Sequence, residues 1–137
     1  MNAKITNATA RAIRFHADAA TQTFYAGLRE RRFRGTRCAG CGHVPYPPRA
    51  FCPRCGGDDV SWIDLPTRGA LYAFTQQQRS WRFASPDVIG LVALPGVAGL
   101  VLTKIAAPFD TLAIGREVEL GFVELGAELV VHEFRPV

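Results

Sequence analysis

The sequence lacks the features by which membrane and secreted proteins are recognised. No apolar run in its 137 residues approaches the eighteen or more residues that a membrane-spanning helix needs. The stretch from Met1 to His16 carries Lys4, Arg11 and Arg14 but no apolar core, so it does not resemble a secretory signal. Low-complexity segments are also missing. These absences predict a cytoplasmic chain with no membrane segment.

Charge is unevenly distributed along the chain. Residues 1–68 hold eleven Lys/Arg against five Asp/Glu, whereas residues 69–137 hold five against seven. Five arginines form a cluster just before the first cysteine: Arg29, Arg31, Arg32, Arg34 and Arg37. This cluster fits either a solvated helix end, where cations complement the helix dipole, or a binding surface.

Cysteine occurs only in two Cys-x-x-Cys pairs, Cys38/Cys41 and Cys52/Cys55, separated by ten residues. A two-residue gap lets one tight turn direct both sulfurs at one ion, so two such turns complete a tetrahedral site with four sulfur ligands. Disulfides would need an oxidising compartment, and a redox motif would use a single pair at a helix start. We therefore predict one structural zinc ion, with rubredoxin-like iron as the alternative, and His43 as a spectator.

A short amphipathic helix is predicted after Asp18 or Thr21, either of which can act as its N-cap, with its end near Gly35. Its apolar stripe comprises Phe24, Tyr25 and Leu28. A lone helix of this length is marginal in water, so the stripe must dock on another surface. That surface is either the chain's own barrel or a partner protein, and we name these three residues as candidate partner-binding residues.

Three prolines between the cysteine pairs favour an extended path from Val44 to Phe51, as an arm of a metal ribbon requires. A strand from Val60 to Leu65, with Trp62 covering the ribbon, is predicted to complete this module.

From Gly69 onward the pattern predicts only β-structure. The predicted strands are 69–78, 88–94, 100–106, 116–124 and 128–134, and the first places Tyr72 and Phe74 on one face. Five strands with a break between the third and fourth favour a small closed barrel of the OB type over an SH3-like one. The predicted organisation is a helical segment at 1–34, a zinc ribbon at 35–66 and a barrel at 67–137.

The first barrel loop places aromatic residues beside cations, at Trp81, Arg82 and Phe83. Such a loop can stack on nucleic-acid bases, contact a partner, or hold the adenine of coenzyme A (CoA). Together with Arg31 and Arg32, these residues are our candidates for ligand or partner binding.

Catalytic residues are not evident. All cysteines are assigned to the metal, and a closed shell of four thiolates leaves no position for a reactive water. The three histidines, His16, His43 and His132, have no neighbouring serine or carboxylate pattern in the sequence, and His132 is predicted to be structural or exposed. We expect no independent catalysis.

The order of these motifs resembles the zinc-ribbon OB-fold family known as domain of unknown function 35. The resemblance covers residues 18–137 and is carried by the helix, the cysteine pairs with their Pro48-Arg49 lead-in, Trp62, the entry Arg68-Gly69-x-x-Tyr72-x-Phe74-Thr75, and the final Phe134-Arg135-Pro136-Val137. It implies a non-catalytic companion of a thiolase-like enzyme acting on acyl-CoA, with direct CoA contact as a further candidate role. The long lead before Asp18 departs from the family.

Function is therefore predicted as that of an accessory subunit of a thiolase-superfamily enzyme, in a hetero-oligomer. Nucleic-acid binding is the alternative, because zinc ribbons and OB barrels both recur in proteins that bind nucleic acids, and the net charge is +4.

Overall fold

The computed structural model describes residues 18–79 and 86–137, and the structural statements below refer to these residues. They form one α-helix, a two-stranded sheet and a closed five-stranded barrel. This arrangement confirms the predicted mainly β architecture. Within this part of the chain, no helix is long and apolar enough to cross a membrane.

Helix α1 (Ala19–Arg29) begins where the sequence predicts it. The carboxylate of Asp18 accepts a hydrogen bond from the amide of Thr21 at 2.8 Å, which satisfies one of the free amides of the first turn. The buried face of the helix includes Phe24 and Leu28.

The end of α1 differs from the prediction, which placed it near Gly35. Arg31 adopts a left-handed conformation with φ of 60°. Its amide donates to the carbonyl of Leu28 at 3.0 Å, and the amide of Arg32 donates to that of Gly27 at 2.8 Å. This pair of bonds is a Schellman motif, in which glycine usually takes the left-handed position. Because arginine occupies it here, the sequence shows no stop signal at this point.

Two short strands flank the cysteine turns. Strand β1 (Arg34–Cys38) pairs antiparallel with β2 (Val60–Asp64), with Thr36 opposite Trp62. The prediction that segment 44–51 forms an arm of the ribbon is wrong, because this segment contributes only an isolated bridge from Pro45 to Ala98. Its prolines have no amide hydrogen to donate to a sheet.

The barrel contains five strands: β3 (Arg68–Gln77), β4 (Asp87–Ala93), β5 (Val101–Ile105), β6 (Glu117–Glu124) and β7 (Val130–Pro136). Their order is β3-β4-β5-β7-β6, and the barrel closes because β3 also pairs with β6. All pairs are antiparallel except β5 with β7. A 3-10 turn, Phe109–Thr111, fills the predicted break between the third and fourth barrel strands.

Strand β3 contains a bulge that the sequence pattern does not reveal. Leu71 pairs with Val92 and Ala73 with Leu91, so Tyr72 is an extra residue. The insertion shifts the alternation of the strand, so that Phe74 packs against the core while Tyr72 is exposed. The prediction that Tyr72 and Phe74 share a face is therefore wrong.

The helix, ribbon and barrel share one hydrophobic core. Phe33, just before β1, packs its ring 6.2 Å from that of Phe134 on β7, and Leu65 follows β2 into the same cluster. Two main-chain hydrogen bonds also join the segment between the cysteine pairs to the β4–β5 turn. The amide of Tyr46 donates to Ala98, and that of Ala98 donates to Val44, at 3.0 and 2.8 Å.

Candidate metal centre and neighbouring surfaces

Two turns of the same geometry carry the four cysteines. The amide of Gly42 donates to the carbonyl of Cys38, and the amide of Gly56 donates to that of Cys52, each at 2.9 Å. Both glycines have a positive φ, 76° and 77° respectively, which a residue with a side chain adopts only with strain. The paired Cys-x-x-Cys-Gly pattern thus folds as two equivalent turns that face each other.

The four sulfur atoms lie within 4.8 Å of one another. Cys38 Sγ is 3.6 Å from Cys55 Sγ, and Cys41 Sγ is 3.6 Å from Cys52 Sγ. A tetrahedral ion with metal–sulfur bonds of about 2.3 Å places its ligands about 3.8 Å apart, so the cluster has the size that zinc requires. A disulfide would bring two sulfurs to about 2.05 Å. The arrangement therefore fits one metal ion bound by all four thiolates.

The electrostatics of the cluster also favour a cation. The amide of Cys41 donates to the Cys38 sulfur and lowers the pKa of that thiol. Desolvation acts to raise the pKa of Cys52, but hydrogen bonds from the amides of Cys55 and Arg54 outweigh it and lower the pKa to about 7. The amide of Gly57 acts to lower the pKa of Cys55, yet hydrogen bonding with the other three sulfurs raises it to about 11. Without a metal, the four neighbouring thiols do not all ionise together. A dication stabilises all four thiolates at once.

Two of the three residues predicted to bind a partner are buried in the chain itself. Phe24 and Leu28 are 5% and 0% exposed, and the Phe24 ring lies 6.2 Å from that of His132 on β7. The prediction that Phe24 and Leu28 bind a partner is therefore wrong, because the apolar stripe of α1 docks on the chain's own barrel. Tyr25 is only partly buried and packs edge-on against Phe24, so its role in partner binding stays a prediction.

Arg31 and Arg32 are engaged in ion pairs. Arg31 Nη2 lies 2.7 Å from Glu124 on β6, and Arg32 Nη2 lies 3.1 Å from Asp64 on β2. These pairs connect the end of α1 to the barrel and to the ribbon. Both arginine side chains stay about half exposed within these pairs, so their assignment to ligand or partner binding stays a prediction.

The remaining loop candidates, Trp81, Arg82 and Phe83, lie outside the described residues, and so does the lead from Met1 to Ala17. Their assignment to ligand or partner binding stays a prediction.

A polar cluster that the sequence did not indicate lies beside α1. His132 Nδ1 is 2.8 Å from Thr103 Oγ1, and Nε2 is 3.3 Å from the Tyr46 hydroxyl. The ring is also surrounded by Phe24, Phe33 and Phe134, and desolvation lowers the pKa of His132 to about 4. Tyr46 and His132 are 86 positions apart, so no local spacing could have revealed the pair.

This cluster is suited to structure rather than to catalysis. Its histidine is neutral, it contacts two hydroxyl groups rather than a carboxylate, and Thr103 is only 6% exposed. A nucleophile activated by histidine must reach its substrate, whereas Thr103 is buried and Tyr46 and His132 are only partly exposed.

Family models match two consecutive parts of the chain. The ChsH2 rubredoxin-like zinc ribbon domain matches residues 26–61, and the ChsH2 C-terminal OB-fold domain matches residues 62–123. These matches confirm the predicted rubredoxin-like ribbon and the predicted OB-type barrel.

Several curated relatives are subunits or scaffold proteins. The benzoylsuccinyl-CoA thiolase subunit BbsA of Thauera aromatica is 38% identical over 112 residues, covering 76% of this chain and 76% of that protein. A DUF35 domain-containing scaffold protein of Methanocaldococcus jannaschii is 26% identical over 75% of this chain and 80% of its own length. A probable enoyl-CoA hydratase alpha subunit of Thermomonospora curvata is 30% identical over 82% of this chain, which spans 36% of that relative.

Solved structures show the same fold. A chain of the Ltp2-ChsH2(DUF35) aldolase superposes with a TM-score of 0.81 and 27% identity, covering 90% of this chain and 98% of that one. A DUF35-family protein of Sulfolobus solfataricus has a TM-score of 0.67 at 16% identity, over 96% and 95% of the two chains, and supports the fold alone.

Proposed function

Because the chain belongs to the ChsH2-type DUF35 family of zinc-ribbon and OB-fold proteins, we propose that it is a non-catalytic accessory subunit of a thiolase-superfamily enzyme acting on acyl-CoA. The observation that carries the proposal is the similarity, over most of the chain, to a protein named as a subunit of benzoylsuccinyl-CoA thiolase. The superposition on a chain of the Ltp2-ChsH2(DUF35) aldolase supports it further, because that name joins two proteins in one enzyme.

The chemistry of the described residues agrees with a supporting role. The four thiols, the strongest candidates for nucleophiles, are all directed at one metal position. A tetrahedral site closed by four thiolates stabilises structure and leaves no position for substrate. In this proposal the zinc ion holds the ribbon rigid, and the reacting groups belong to the thiolase-like partner.

Direct contact with CoA is the finer part of the proposal. It rests on the aromatic and cationic residues Trp81, Arg82 and Phe83, since an indole or guanidinium plane can stack on adenine. Arg31 and Arg32 are less suited to a phosphate, because each already pairs with a carboxylate.

Nucleic-acid binding is the weaker alternative. A protein that binds single strands needs a groove of unpaired cations with aromatic platforms along it. Several described arginines instead pair with carboxylates, among them Arg31, Arg32, Arg68 and Arg135.

Co-expression tests the proposed function. The chain should be produced with and without the thiolase-like protein encoded nearest to it, and the products separated by size exclusion. We expect co-elution with about one zinc per copy of this chain, acyl-CoA turnover only when the partner is present, and an interface of about 1,600 Å² in total. Failure to co-elute, together with salt-sensitive binding of the isolated chain to single-stranded RNA or DNA, would favour the alternative.

A further inference from the structure

The outer surface of the barrel is apolar on one side. In the antiparallel register, Ala73 on β3 lies opposite Leu91 on β4, which lies opposite Leu102 on β5. The neighbours of Leu91 and Leu102 in sequence point inward and are buried, including Val92 and Val101 at 0% exposure. We call the outward apolar residues on these three strands the apolar face, which ends at the row where Thr75 and Lys104 lie on either side of Ile89: Ala70, Tyr72, Ala73, Ile89, Leu91 and Leu102.

The bulge in β3 enlarges this face. Because Tyr72 is an extra residue, two consecutive side chains of β3 lie against a single residue of β4, and the phenol is added to the row formed by Ala73, Leu91 and Leu102. Tyr72 is 59% exposed and Leu102 is 64% exposed. Because these two exposed side chains belong to one continuous set on a single sheet face, we treat the set as a candidate interaction surface rather than as isolated apolar residues.

The opposite side of the barrel has a different chemistry. The outward residues of β6 and β7 include Glu117, Glu119 and Arg135, and Arg68 at the start of β3 pairs with both glutamates at 3.6 and 3.5 Å. At the border of the apolar face, Lys104 is paired with the buried carboxylate of Asp87. The apolar face therefore presents no unpaired charge among the described residues of its three strands.

We propose that the apolar face docks on an apolar surface of the thiolase-like subunit; this inference rests on the proposed function. Three strands spaced about 4.8 Å apart, each with about five residues rising 3.3 Å, form a patch about 10 by 17 Å. Two copies of such a patch would bury less than the roughly 800 Å² in total below which contacts are mostly adventitious. A symmetric dimer through this patch alone is therefore too small, and a stable contact needs a partner that also covers the surroundings of the patch, as the proposed thiolase-like subunit can.

The test replaces Tyr72 and Leu102 by aspartate in one double variant. Both side chains are exposed, so the fold should tolerate the change, whereas a carboxylate buried in an interface is strongly unfavourable. We expect binding to the co-expressed thiolase-like subunit to weaken at least tenfold, with zinc content unchanged. Val137→Asp is the matched control, because Val137 is 55% exposed but lies beyond β7, and it should bind as the wild type does.

A photo-crosslinking phenylalanine at position 72 gives a second measurement that does not depend on the stability of the double variant. It should crosslink to the thiolase-like subunit, whereas the same group at position 137 should not.

The outcomes separate the two proposals. If the wild type does not bind the subunit, the proposed function fails and this inference with it. If the wild type binds, but the double variant binds equally well and position 72 does not crosslink, only the assignment of the apolar face as the docking surface is wrong. If the variant instead abolishes self-association in sedimentation equilibrium and still binds the subunit, the occupant is a second copy of this chain, and the inference is overturned.

Discussion

At the scale of single residues, His132 is the group whose surroundings most affect its chemistry. It lies where α1, the segment between the cysteine pairs and the barrel meet, and its two nitrogens contact Thr103 and Tyr46. Desolvation lowers its pKa from 6.5 to about 4. The unfolded chain therefore binds a proton at His132 more tightly than the folded chain does. Lowering the pH from 6.5 towards 4 favours unfolding, whereas above pH 6.5 the ring is neutral and compatible with the fold.

We predict that the free energy of unfolding of the wild type falls by up to about 3 kcal/mol more than that of His132→Gln between pH 6.5 and pH 4. The measurement is urea unfolding at closely spaced pH values, with zinc in excess for both proteins. Both proteins share the other titratable groups, so the difference between their two pH dependences isolates the contribution of His132. Parallel curves for the two proteins would show that His132 is not protected from protonation.

At the scale of elements, much of the fold follows from local sequence patterns. The cysteine turns follow from spacing and glycine, and the barrel strands follow from alternation. The end of α1 does not, because Arg31 takes a left-handed position that glycine usually fills. The bulge at Tyr72 also has no sequence signal, since it is set by the pairing of β3 with β4. Local sequence patterns therefore do not predict features that depend on long-range strand pairing or on one residue in a strained conformation.

Helix α1 provides a test of its assignment to the core. Phe24→Ala should lower the free energy of unfolding by about 3–5 kcal/mol and Leu28→Ala by about 2–5 kcal/mol, because both leave cavities in a packed interior. Thermal or urea unfolding measures this effect. Glu30→Ala is the control; its side chain is exposed, and its effect should stay within about 0.5 kcal/mol. If Phe24→Ala is as stable as the wild type but no longer binds the partner, the interpretation of Phe24 as a partner-binding residue is restored.

At the scale of the whole molecule, the metal site supports more than the ribbon. Cys38 ends β1, and Phe33 and Leu65 on either side of the ribbon strands belong to the barrel core. Loss of the metal would release the two cysteine turns and weaken the positions of both core residues. The ribbon and the barrel should therefore respond together.

We predict that Cys38→Ser abolishes zinc binding and lowers the melting temperature of the entire chain, since structural zinc contributes about 10–16 kcal/mol in small modules. Elemental analysis and calorimetry are the measurements. Ala39→Ser, at an exposed position of the same turn, should retain about one zinc per chain and melt as the wild type does. Iron and a red colour in the purified protein, or full stability in strong chelator, would contradict the assignment of structural zinc.

The junction between segment 44–46 and the β4–β5 turn has a consequence for how this protein can diverge. Both hydrogen bonds there join main-chain atoms, so they place no demand on the side chains of Val44, Tyr46 or Ala98. Gly99 is different: its φ is 102°, and a Cβ atom there would lie 2.8 Å from the carbonyl oxygen of Tyr46. The exposed Ala98 can therefore change while the ribbon keeps its orientation on the barrel, whereas Gly99 must be retained for its backbone and Val44 and Tyr46 for the packing of their side chains against the core.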